Sequence, residues 1–178
     1  MNVVCFGDSN TWGYDPRGFW GGHYDTCWVD VAGKETGYTF INEGSNGRTI
    51  PISMSQQHRN ADILIIMLGT NDLLQGATAE ETGHRMEIFL NSLLPCQILL
   101  LSPPLLQRGA WVAQDALIQE SRSLGYVYRQ LAGRLGILFA DTAQWGIPLA
   151  YDGVHFTEEG HRIFGRKLAD LLKKPNTN

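Results

Sequence analysis

Apolar positions along the chain fall into two rhythms. Five short, nearly unbroken runs, at 2–6, 38–42, 63–68, 97–102 and 137–140, are rich in Val, Ile, Leu and Phe. Runs of this length and continuity predict strands buried on both faces of a sheet. Between them lie longer stretches with helical spacing, at 23–36, 79–94, 115–135 and 158–173. The last is the best punctuated: Thr157 stands as an N-cap, Glu158 and Glu159 occupy the first turn, and lysines follow at the end. Strands alternating with helices require right-handed crossovers and a parallel sheet covered on both sides. The expected fold is α/β, a three-layer α/β/α sandwich around a flavodoxin-like five-stranded parallel sheet of order 2-1-3-4-5.

No repeat, low-complexity tract or linker interrupts this alternation, so residues 1–178 read as a single domain. Such a sheet binds ligands beyond the carboxyl ends of its strands. The polar words that follow the apolar runs therefore carry the chemistry. They are Gly7-Asp8-Ser9-Asn10, Asn42-Glu43-Gly44-Ser45-Asn46-Gly47, Gly69-Thr70-Asn71-Asp72 and Asp152-Gly153-Val154-His155. Each lies after a predicted strand, so all four meet at one edge of the sheet.

Ser9 is the candidate nucleophile. Asp152 precedes His155 by three residues, a spacing that lets a carboxylate hold one ring nitrogen while the other takes the serine proton. Asn71, just past a buried strand, is a candidate donor to a developing oxyanion, and so is a backbone amide at Gly47 or Gly44. Asp8 is expected to hold the Ser9 turn by accepting from nearby amides. His23, His58, His84 and His161 lack a partnered context and are expected at the surface or as caps. His155, Glu158 and His161 have too weak a spacing to argue for a metal, so neither metal nor cofactor is expected. Trp12, Trp20, Trp111 and Trp145, with Leu73, Leu105 and Ile147, are expected to line part of the crevice. Trp12 and Leu73 are the first choices for substrate contact.

Composition narrows the partners. With 43% apolar residues, a net charge of −4 and no basic stripe, the chain suits a globular domain and gives nucleic acid no footprint. No apolar run approaches the roughly 20 residues needed to cross a bilayer. The start runs directly into the Ser9 word, which leaves no signal peptide to expect. Cys5, Cys27 and Cys96 are odd in number and far apart, and read as reduced thiols of a cytoplasmic protein. The oligomeric state is left open, and a homo-oligomer is compatible with the chain.

Taken together, the four words resemble the GDSL esterases and lipases of the SGNH hydrolase group. The stretches around Cys5–Gly13, Ile65–Asp72 and His155–Thr157 are similar to its arylesterase and acyltransferase branch. The resemblance spans Val3 to about Gly165. It implies a three-layer fold, a nucleophile at Ser9 and a triad completed by Asp152 and His155. It also implies an oxyanion hole of the Ser9 and Gly47 amides with the Asn71 side chain. Gly47 is preferred to Gly44 because the family's glycine is followed, one residue on, by threonine, as in Gly47-Arg48-Thr49. Asn10 departs from the family, where many members carry leucine, and is expected to affect pocket lining at most. The implied activity is hydrolysis of small, acetyl-like esters through an acyl-enzyme, with transfer to alcohols as an extension. The alternatives are a carbohydrate O-acetylesterase using the same residues and, from another class, a non-catalytic small-molecule binding module.

Overall fold

The computed structural model describes residues 1–18, 20–54, 60–93 and 95–174. Five parallel strands form the central sheet: β1 (Asn2–Gly7), β4 (Thr39–Gly44), β5 (Ile63–Met67), β6 (Gln97–Leu101) and β7 (Leu138–Ala140). Their spatial order is β4-β1-β5-β6-β7, which is 2-1-3-4-5 when these five are numbered along the chain. Every neighbouring pair is parallel, and Val3 is aligned with both Phe40 and Ile63.

The pleat assigns alternate residues to the two faces. Val3, Cys5, Ile63, Ile65, Met67, Leu99 and Leu101 pack with Trp28, Phe164 and Leu168. These partners come from α2 (Trp28–Thr36) and α6 (Glu158–Lys173), which cover one face. Val4, Phe6, Leu64, Ile66, Leu68 and Leu100 pack with Met86, Phe89, Leu124 and Tyr128. Those come from α4 (Ala79–Asn91) and α5 (Asp115–Leu135) on the other face. Burying each such aliphatic side chain stabilises the fold by about 1.5–3 kcal/mol, before conformational entropy is subtracted.

Strand β5, the middle of the five, is buried throughout, as its unbroken apolar run requires. The edge strands β4 and β7 are not: Thr39, Ile41, Asn42 and Leu138 are exposed, so the expectation of burial on both faces fails at both edges. The helix expected from residue 23 begins only at Trp28. Ahead of it, β2 (Tyr14–Asp15) and β3 (Gly22–His23) pair as an antiparallel hairpin. Helix α4 ends at Asn91, before the expected 94, a residue outside those described. Two short helices, α1 (Ser9–Trp12) and α3 (Thr70–Leu74), are too brief to show helical periodicity, yet both start at the carboxyl edge of the sheet.

Candidate active site

The strand ends bring the four words together. Ser9 opens α1 directly after β1, and Asp8 caps that helix by accepting from Asn10 N at 3.0 Å. This is the turn-holding role expected of Asp8. Asp8 is also fully enclosed, and burial pushes its carboxyl up to about 6, against the lowering effect of the Asn10 amide and the nearby His155 and Arg48.

His155 lies in the segment between β7 and α6. Its Nε2 is 3.0 Å from Ser9 Oγ, and its Nδ1 is 2.7 Å from Asp152 Oδ2. With Asp152 accepting from Nδ1–H, Nε2 is bare and accepts the serine hydroxyl proton. The other carboxylate oxygen, Oδ1, accepts from Val154 N at 2.9 Å and His155 N at 3.0 Å. Burial raises the Asp152 pKa, but the hydrogen bonds from His155 and Val154 outweigh it and hold the group below its ordinary value. Asp152 is therefore an ionised, fixed acceptor with both oxygens engaged. This arrangement can move a proton from a serine hydroxyl to an imidazole and support the imidazolium that results.

The two glycines of the second word separate clearly. A Cβ on Gly44 would run into the backbone of Thr11 and Trp12, so Gly44 permits β4 to press against α1. Gly47 has φ +71° and open space where a Cβ would stand. It is a turn glycine with a clear approach rather than a packing glycine. Asn71, in the first turn of α3, donates from Nδ2 to Arg48 O at 3.0 Å, and Asp72 Oδ2 accepts from Ile50 N at 3.1 Å. The segment carrying Gly47 is thus tied to the end of β5. An amide nitrogen has two N–H groups, so Asn71 can keep the Arg48 bond and still offer the second to a ligand.

Arg48, unnoticed in the sequence, knots the same region. Its guanidinium donates to Gly7 O at 2.9 Å and to Glu43 O, and lies 4.2 Å over the Phe6 ring. No spacing rule points to it; only its place directly after Gly47 could have done so.

Aromatic residues surround the imidazole. Tyr14, in the hairpin the sequence did not reveal, has its ring 4.5 Å from that of His155, and Trp111 approaches edge-on at 5.1 Å. Trp111 is 53% exposed and also borders a groove of about 440 Å³ with Leu73, Leu74 and Leu117. Trp12 is half-buried against His23 at 4.6 Å, beside Tyr14. Trp20 is 91% exposed and Leu105 half-buried. Trp145 and Ile147 instead join the core beneath α6, with the Trp145 ring tilted against Phe164 at 4.9 Å.

The remaining histidines divide as well. His23 and His84 are exposed, and His58 lies outside the described residues. His161 is not at the surface. It is fully buried and accepts from Trp28 N at 3.2 Å, capping α2 from α6. Asn10 also differs from expectation. It is buried and makes two hydrogen bonds to the His155 segment, so it does more than line a pocket. Among the described residues no group of three or more His, Cys, Asp or Glu side chains is placed to hold a metal ion.

A parallel α/β/α sandwich with a buried, hydrogen-bonded Ser, His and Asp set at the carboxyl edge is an arrangement that α/β serine hydrolases share. The pattern of the GDSL-like Lipase/Acylhydrolase family matches residues 5–163, and the chain belongs to that family. Its structure resembles the native M. smegmatis aryl esterase, with 26% identity, 97% of this chain and 98% of that one covered, and a TM-score of 0.86. It also resembles a carbohydrate acetylesterase family member from Sinorhizobium meliloti, at 28% identity, 97% of each chain and 0.83. A G-D-S-L lipolytic protein from Veillonella parvula, at 22% identity, 98% and 100% coverage and 0.74, shares the fold. No curated protein matches the chain by sequence. The protein is a carboxylic ester hydrolase of the GDSL family. No helix among the described residues is long and apolar enough to cross a membrane.

Proposed function

We propose that Ser9 is the nucleophile of a two-step esterase, with His155 as general base and Asp152 as its orienting carboxylate. The observation that carries this reading is the unbroken chain of contacts from Ser9 Oγ to His155 Nε2 and from His155 Nδ1 to Asp152. His155 takes the serine proton as Oγ attacks the ester carbonyl. The carbonyl oxygen becomes negative and is received by the amides of Ser9 and Gly47 and by the second N–H of Asn71. Ser9 is the first residue of α1, so its N–H has no partner within the helix. The imidazolium returns its proton to the leaving alcohol, and water, activated in the same way, releases the acid from the acyl-enzyme. An alcohol arriving in place of water gives transesterification.

The substrate is a small-acyl ester whose alcohol portion rests by Trp111. This residue touches the ring that must protonate the leaving oxygen and opens onto the groove containing Leu73. Trp12 supports the Tyr14 side of the same opening. A second reading, a carbohydrate O-acetylesterase, draws on the exposed indole of Trp111 and on the Sinorhizobium relative, since sugar rings stack on exposed aromatic faces. We assign the protein to the cytoplasm, a compartment that suits its three free cysteines, and leave room for a homo-oligomer.

The decisive experiment measures p-nitrophenyl esters of increasing acyl length, acetylated xylan and a fluorophosphonate probe on wild type and Ser9→Ala. Labelling at Ser9 with fastest turnover of the aryl acetate supports the main reading, and preference for the xylan selects the second. Labelling that survives Ser9→Ala removes Ser9 from the chemistry.

A further inference from the structure

Asn10, directly after the candidate nucleophile, is one departure from the resemblance, and the structure gives it a specific position. Asn10 is almost fully buried. Its Nδ2 donates to Val154 O at 3.0 Å, and its Oδ1 accepts from Phe156 N at 2.9 Å. Val154 and Phe156 are the two residues flanking His155. A side-chain amide offers one donor and one acceptor edge, the same pair a neighbouring strand would present, so Asn10 pairs with the His155 segment as a single residue of sheet would. Its own backbone is fixed by Asp8, whose Oδ1 accepts from Asn10 N.

We propose that Asn10 is a positioning residue that sets the reach of His155 to Ser9. The path from Ser9 to His155 runs through one peptide bond to Asn10, across two hydrogen bonds, and back through one residue on either side of the histidine. Few circuits could hold a 3.0 Å hydroxyl–imidazole contact more directly between residues 146 positions apart. Leucine in the same place fills similar volume but makes neither bond. It would leave a buried carbonyl and a buried N–H without partners, and they could be satisfied only by movement of the loop. His155 would then depend on Asp152 and on the bond from Ala150 N to His155 O. The proposal rests on the reading that Ser9 and His155 react together.

The test compares wild type, Asn10→Leu, His155→Ala and the double variant by p-nitrophenyl acetate kinetics and the rate of fluorophosphonate labelling. Asn10→Leu is expected to lower kcat and labelling roughly 10–100-fold, the cost of a misplaced catalytic group, while KM stays within about twofold. Once His155 is alanine, the same leucine is expected to change the residual rate by less than about twofold, because Asn10 acts through the imidazole. A folded Asn10→Leu chain labelling at the wild-type rate overturns the proposal. So does an equal loss in both backgrounds, which would assign Asn10 to the shape of the Ser9 turn alone. If the leucine chain does not fold, Asn10→Asp decides. Its acid form restores a donor for Val154 O, so its rate relative to wild type should recover as the pH is lowered, and a flat ratio counts against the clamp. A wild type that does not label at all removes the Ser9 reading instead. The clamp is then judged by the His155 ring nitrogen resonances, which Asn10→Leu should shift and which overturn it if they stay in place.

Discussion

Two histidines six residues apart, His155 and His161, are both removed from solvent, at 3% and 0% exposure, yet they sit in opposite electrostatic settings. His155 has a carboxylate on one nitrogen and a hydroxyl on the other, so a proton arriving on the ring meets a charge partner already in place. His161 accepts a backbone N–H at Nδ1, which puts its proton on Nε2, and that atom has no hydrogen-bond partner among the described residues. Tyr24 and Phe156 pack around it, with ring centroids 5.2 and 5.1 Å away. Burial, aided by the proximity of His23, pushes its pKa down to about 3. Burial alone therefore does not mark a candidate base; the partner on each nitrogen does.

The largest effect that separates the two is on turnover. Asp152→Asn should lower kcat about 10⁴-fold, because the amide favours the wrong ring tautomer. His161→Phe should leave kcat within a few-fold and act on stability instead, since a phenyl ring keeps the volume but cannot accept from Trp28 N. The check is kcat against urea midpoint for both chains. A large loss of kcat in His161→Phe with Ser9 labelling abolished would make His161 part of the reaction and end the contrast.

Next in size comes the oxyanion side. Asn71→Ala should cost about 2.7–4 kcal/mol of barrier, read as a 10²–10³-fold fall in kcat with KM nearly unchanged. It also frees Arg48 O, so a matched fall in thermal midpoint is expected from the loosened Gly47 segment. A rise in KM alone would mean that Asn71 serves ground-state binding rather than the charged intermediate.

How much of this was legible beforehand follows from how local each feature is. The inner strands β1, β5 and β6 were readable because a buried parallel strand writes an unbroken apolar run, whereas the two edge strands are partly exposed and the order followed from the doubly wound precedent. The convergence of Ser9, Asp152, His155 and Asn71 was readable because each follows a strand run or sits near its hydrogen-bonding partner. The hairpin carrying Tyr14 was not, since two strands of two residues leave no period to detect. The burial of His161 and the clamp of Asn10 depend on contacts more than 130 residues away in the chain. No local pattern encodes such contacts.

The smallest effect is also the sharpest test of the electrostatic contrast, because two buried groups oppose one another over the same pH range. His161 titrates near 6.5 when unfolded and about 3 when folded, so the unfolded chain holds the extra proton between those values. Its contribution makes stability rise with pH there. Asp8 runs the other way: its carboxyl titrates near 3.8 unfolded and about 6 folded, so the native chain holds the extra proton and stability falls as pH rises. Between about pH 4.5 and 6 the two act with opposite signs, each by up to about 1.4 kcal/mol per pH unit. Wild type should therefore be flatter across that window than either single variant when urea midpoints are measured at half-unit steps. Asp8→Asn should expose the His161 slope, with stability climbing toward pH 6, and His161→Phe should expose the falling slope of Asp8. Parallel curves for all three chains would mean that neither group is held away from its ordinary titration by the fold, and the distinction between a partnered and an unpartnered buried histidine would then lose its electrostatic basis.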